Sequence, residues 1–153
     1  MRTLDELYTE LKPDMAAVAE PLFEFSAQCL RERNGFLPHA AILTSSRAIE
    51  LVGATTGSMD GKSAPAEILP ILHAGLRKHA LEKNFLALGI AEDVTVTQAG
   101  QSPTQAVKVL FEHRRGLVVA LYLPYAKRFL RGYKFGETFS TAVDGEVNAW
   151  SQT

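Results

Sequence analysis

Glu92 falls on the apolar parity of a strand-like stretch, with Leu88, Ile90, Val94 and Val96 at even steps around it. A carboxylate carried into a core loses its water, its pKa rises, and it becomes able to donate a proton. Asp93 beside it, and His113-Arg114 at the end of a later strand pattern, complete a candidate set: Glu92, Asp93 and His113 for proton transfer, Arg114 for the charge of a ligand. Two simpler readings compete with it. A β-bulge at Glu92-Asp93 would shift the phase and turn the charge outward. His113 reads equally as a rim histidine beside a turn, and its neighbour Glu112 points to the opposite face of the strand and cannot orient it.

Other constellations are weaker. Gly61-Lys62-Ser63 lies between a strand pattern and a helix pattern, as a phosphate-binding loop does, but Thr56 stands where the first glycine is required and Pro65 removes a donor from the helix start. His73 and His79 are six apart and do not share a helix face, and no cluster completes a ligand set, so neither a metal nor a cofactor is expected. Cys29, the one cysteine, sits on a helical stripe with Met15, Val18, Leu22 and Phe25 and reads as a small core hydrophobe.

Charge is unevenly placed along the chain. Residues 1–104 hold nine basic and thirteen acidic groups, and residues 105–153 hold seven and four, so the halves carry −4 and +3 of a formal −1. The small net charge gives no overall basic field for nucleic acid. Within YAKRFLRGYKF, however, Lys127, Arg128, Arg131 and Lys134 alternate with Tyr125, Phe129, Tyr133 and Phe135, a mix that can grip phosphates and stack on bases. With Arg114 these four basic residues are the candidate ligand contacts; a solvated loop with aromatics anchored in the core gives the same string.

The elements that must position these residues follow from periodicity. The chain has 153 residues, 46% of them hydrophobic and 22% charged, which suits one globular domain over residues 1–153 and excludes collagen-like or mainly disordered readings. A capping box, Thr3 with Glu6, opens a leading helix over 3–12 that Pro13 should stop; a second helix runs from Asp14 to Asn34-Gly35, weakened at Pro21. Residues 36–56 read as a hairpin, and Pro65 opens a helix to about Lys83. Then come three strands: one around 86–97 with a single buried face, one around 107–112, and LVVALYLPY after a tight turn at Arg115-Gly116. From about residue 140 the chain is either a loosely held tail or a short final strand.

The predicted fold is α+β, a five-stranded, mostly antiparallel sheet in the order α-β-β-α-β-β-β with helices packed on it. Strand 117–123 is apolar on both sides and needs cover on each. Helices on each side could supply it, or a second copy of the chain or a small protein partner through Val119, Leu121 and Leu123; the second copy is the favoured reading. The N-terminus lacks the apolar stretch of a signal peptide and no apolar run is long enough to span a bilayer, so a cytoplasmic location is expected.

The run FLPHAAIL, ELVGATTG, LFEHRRG and LYLPY, over about residues 36–125, resembles a group of small uncharacterised bacterial proteins. That resemblance implies no activity, cofactor or catalytic residue. The element order is similar to the roadblock/profilin-like arrangement, a topological likeness implying a sheet that dimerises or docks partners. A strand apolar on both sides, without a catalytic set, makes a non-catalytic interaction or regulatory module, homodimeric, the favoured expectation. A ligand binder or enzyme using Glu92 and His113, and phosphate or RNA recognition through residues 125–135, are its alternatives.

Overall fold

The computed structural model describes residues 3–53, 65–128, 130 and 132–150. The Gly61-Lys62-Ser63 string, Phe129 and Arg131 lie outside the described residues. Among the described residues two helices and seven strands follow in the order α1 (Leu4–Arg33), β1 (His39–Leu43), β2 (Ile49–Val52), α2 (Pro65–Lys83), β3 (Ala87–Val96), β4 (Thr104–His113), β5 (Val118–Arg128), β6 (Gly132–Phe135) and β7 (Phe139–Ala142). They form an α+β fold on one antiparallel sheet with path β2-β1-β3-β4-β5-β6. The sheet has seven strands, not five, because the outer edge of β5 carries two short additions: β7 along Val119–Tyr122 and β6 along Tyr125–Arg128.

α1 is one helix of 30 residues that runs through both Pro13 and Pro21, so the predicted stop after residue 12 is corrected. Each proline removes one hydrogen bond, at about 3 kcal/mol. Against this, Leu11, Met15, Val18, Leu22 and Leu30 lie on one stripe that is buried against the sheet across both breaks. Burial of each such side chain contributes about 1.5–3 kcal/mol, which outweighs the two lost bonds. The Thr3–Glu6 capping box starts the helix as predicted, and Asn34 in the left-handed conformation ends it. The stripe drifts: Ser26, Ala27 and Leu30 are buried, while Phe25 is exposed and Cys29 half-exposed at the sheet edge.

The sheet is covered on both faces. α1 packs over Ala41, Leu43, Ala87, Ala91, Val107, Val109 and Phe111. α2 sets Ile68, Leu72 and Leu76 against Ala40, Ile42, Leu88 and Ile90 on the other face. β3 therefore buries both sides of its first half, where one buried face was expected. Its second parity, Ala87, Gly89 and Ala91, is small because α1 lies directly on it: a Cβ on Gly89 would sit 2.5 Å from Val18 Cγ1 and 2.8 Å from Leu22 Cδ1.

The β4–β5 turn sets the faces of the last strands. His113 and Leu117 close it by a hydrogen bond from the His113 N–H to the Leu117 carbonyl, leaving three residues outside, with Gly116 at φ 96°. A two-residue turn at Arg115-Gly116 would pair Phe111 with Ala120 and put Val118, Ala120 and Tyr122 on its face; the observed register pairs Phe111 with Val119 and Glu112 with Val118. One residue of slip exchanges the two faces of a strand. Val119 and Leu121 thus lie beneath α1, 3% and 8% exposed, with Leu123 half-buried against the same cluster. Of the three residues expected to form an interface, Val119 and Leu121 are covered by the chain's own helix and Leu123 is partly covered.

Gly89→Val tests this close approach. In open space valine would suit a strand; here the overpacked core should lose about 1–3 kcal/mol, read as a lower urea midpoint with an unchanged slope.

Candidate functional site

β3 and β4 pair without interruption through Glu92–Lys108 and Asp93–Val107, so no bulge intervenes and Glu92 keeps the apolar parity. Its carboxylate is half-buried on the α2 face, and burial raises its pKa, with the Lys108 ammonium pulling it back and Glu146 adding to the rise. Asp93 points to the opposite face, where it accepts a 2.6 Å hydrogen bond from the Tyr125 hydroxyl. Burial, reinforced by that bond, pushes the Tyr125 phenol far up.

His113 is remote from both. It lies five residues along β4 from the partner of Glu92, roughly 17 Å at the rise of a strand, and on the other face. Acid–base cooperation between Glu92 and His113 requires hydrogen-bond reach, so the structure separates the predicted pair. Arg114 is at the turn, 3.4 Å from the Asn84 side-chain oxygen that accepts from it.

Nor is His113 a rim residue. It is 4% exposed, with Nε2 3.0 Å from Asp14 Oδ2 and Nδ1 accepting from the Arg115 backbone N–H at 3.1 Å. An accepting Nδ1 carries no proton, so the neutral ring holds its hydrogen on Nε2 and donates to Asp14. Asp14 also receives the Arg47 guanidinium. Both ring nitrogens are committed, and the pair ties the middle of α1 to the β4–β5 turn. The fixed neighbours of strand register could not reveal this contact, because Asp14 and His113 are 99 residues apart.

Glu112 does a similar task on the α2 face. It is buried, and its two carboxylate oxygens accept the backbone N–H groups of Glu146, Val147 and Asn148 at 2.9–3.0 Å. Three consecutive backbone donors converging on one anion form a nest. The Arg77 side chain donates to the Val147 carbonyl at 2.8 Å from the other side. Val147 is completely buried, and Trp150 packs edge-on against Phe85 at 5.3 Å. Residues 139–150 are accordingly β7 followed by a clamped strap rather than a loose tail.

The basic-aromatic segment is the β5–β6 hairpin. Tyr125, Tyr133 and Phe135 pack on one another, and Arg31 of α1 stands over Phe135 at 5.2 Å. Lys127 and the Tyr133 hydroxyl both donate to the Asn34 side chain at the end of α1, at 3.1 and 3.2 Å. The aromatic faces are thus used to seat the hairpin. Arg128 and Lys134 remain exposed, with no ion-pair partner among the described residues.

A cavity of about 430 Å³ opens beside the C-terminal end of α1, lined by Phe25, Cys29, Arg33, Phe36, Leu37 and His39 among others. His39 Nδ1 donates to the Leu37 carbonyl at 2.9 Å, and Nε2 accepts from Ser26 at 3.3 Å. Its ring stands edge-on to Phe25 and Phe36, at 4.8 and 5.6 Å, and burial lowers its pKa. Periodicity placed Phe25 and Cys29 in the core and passed over Arg33 and Phe36; the legible signal was a phenylalanine just past the Asn34-Gly35 helix end, three turns beyond Phe25. Among the described residues no group of His, Cys, Asp and Glu is arranged to hold a metal ion, and no helix is long and apolar enough to cross a membrane. No family model, curated protein or solved structure shows significant similarity to the chain.

Two predictions follow from these contacts. Glu112→Ala leaves three backbone donors without their charged acceptor and should cost roughly 3 kcal/mol; the single tryptophan, Trp150, should shift its emission to the red in the folded state as the strap loosens. Burial also lowers the pKa of His39, His73 and His113. The unfolded chain then binds protons first, so stability is complete above about pH 6.5 and falls as pH drops through the lowered folded values. The urea midpoint should decline from pH 7 to pH 5, and His113→Asn should flatten that decline by up to about 1.4 kcal/mol per pH unit.

Proposed function

We propose that this chain is a small cytoplasmic, non-catalytic interaction module that pairs with a second copy of itself through the β5–β6 hairpin. The observation that carries this reading is the hairpin itself. β4 pairs with β5 no further than Tyr125, so Ala126–Arg128 and Gly132–Lys134 pair only with each other beyond the sheet. Leu130 at its tip is 89% exposed, in the left-handed conformation, with Arg128 and Lys134 on the arms. An apolar tip on a basic arm that is hydrogen-bonded to the end of α1 is a contact element.

Charge complementarity supports a second copy as its occupant. The hairpin sits at the C-terminal end of α1, and Asp5 and Glu6 are exposed at the N-terminal end, about 45 Å away for a helix of this length. Two copies arranged antiparallel bring each basic hairpin to the other's acidic helix end, a closed two-fold pairing. The commitment of His113 and Asp93 to internal hydrogen bonds, and the distance of Glu92 from His113, favour this reading over a catalytic one.

Size-exclusion chromatography with light scattering at tens of micromolar should give a dimer mass at low salt. Arg128→Glu with Lys134→Glu should halve it, and high salt should weaken it. A monomeric wild type at low salt overturns the proposal, as does an unchanged dimer in the double variant. A monomer whose retention on heparin falls in the variant would point instead to phosphate or RNA recognition.

A further inference from the structure

The cavity beside the C-terminal end of α1 is independent of the hairpin's role. Its volume, about 430 Å³, is within the range of small-molecule sites, which are mostly apolar with a few placed polar groups. Phe25, Phe36, Leu37 and Pro38 supply apolar walls, and Cys29 adds a small polarizable one. Phe25 and Leu37 are each 42% exposed, an amount of apolar surface that gains by being covered.

The polar groups of the lining differ in what they can still do. His39 has spent both nitrogens, on Leu37 and Ser26, so it offers its ring to the wall and no lone pair to a metal or a proton. Arg33 is the charged residue of the lining, and among the described residues it has no carboxylate partner. A lone guanidinium presents a planar fork that matches a carboxylate with two parallel hydrogen bonds. One positive charge also balances one negative charge, where a phosphate dianion would be left half-compensated.

We infer that this cavity binds a compact apolar monocarboxylate, its body between Phe25, Phe36 and Leu37 and its carboxylate on Arg33. Charge complementarity selects the head group and the walls select the tail. Because Cys29 is the only cysteine of the chain and lines the cavity, its modification reports directly on occupancy.

The test uses 4-phenylbutyrate and its neutral amide, 4-phenylbutyramide, with the full chain. Calorimetric titration should show the acid binding at least about 10-fold tighter than the amide, the worth of one charged hydrogen-bonded pair. Arg33→Gln should abolish that difference and leave the amide unaffected; Arg33 is exposed, so the variant should fold. Saturating acid should also slow the reaction of Cys29 with N-ethylmaleimide. Equal affinity for acid and amide, undiminished binding of the acid to the variant, absence of binding, or labelling of Cys29 at an unchanged rate would each overturn the inference.

Discussion

Helix α1 lies so close to the sheet over Gly89 that one added carbon would meet Val18 and Leu22. That contact accounts for much else. Small residues on the adjoining strand positions, Ala41, Ala87 and Ala91, keep the helix low across β1 and β3. A helix held down along its whole stripe tolerates two prolines, because the backbone has nowhere better to go once its apolar face is buried. The same closeness brings Asp14, in the middle of the helix, into a buried bond with His113 at the far end of β4.

The two adjacent residues at that strand end show how alternation divides labour. His113 faces α1 and fastens the helix; Glu112 faces α2 and fastens the strap that closes the chain. Each would be costly if left alone in the core, and each is satisfied by partners brought from distant sequence. Groups so fully engaged serve architecture. The surfaces left with unspent capacity lie elsewhere, at the two features gathered around the end of α1: the basic hairpin seated on Asn34 and the aromatic-lined cavity containing Arg33. One helix terminus therefore sets the position of both, and their chemistries are distinct, since one is convex and basic and the other concave and apolar.

Much of the architecture was legible in local pattern. The capping box at Thr3, the helix opening at Pro65 and ending near Lys83, and the strands around residues 86–97, 107–112 and 117–123 follow from periodicity and turn chemistry, as does an α+β antiparallel sheet. The half-burial of Glu92 was legible too, from one charged residue on an apolar parity. What local pattern misplaced was anything decided by a single residue of register or by a distant partner. The face taken by Val119, Leu121 and Leu123 was set by a turn of three residues, where one of two would have put them on the opposite side. Pro13 was read as a stop and Pro21 as a weak point because their penalty is local while the burial that offsets it is not.

The sequence by itself determined which segments are helical or extended and which of their positions are apolar, since backbone preference and side-chain spacing act over a few residues. Tertiary structure alone decided that Asp14 meets His113, that Glu112 clasps the backbone of residues 146–148, and that Phe25, Arg33 and Phe36 border one cavity. Such contacts depend on how far α1 reaches across the sheet and on which face each strand presents, and those are properties of the packed chain as a whole.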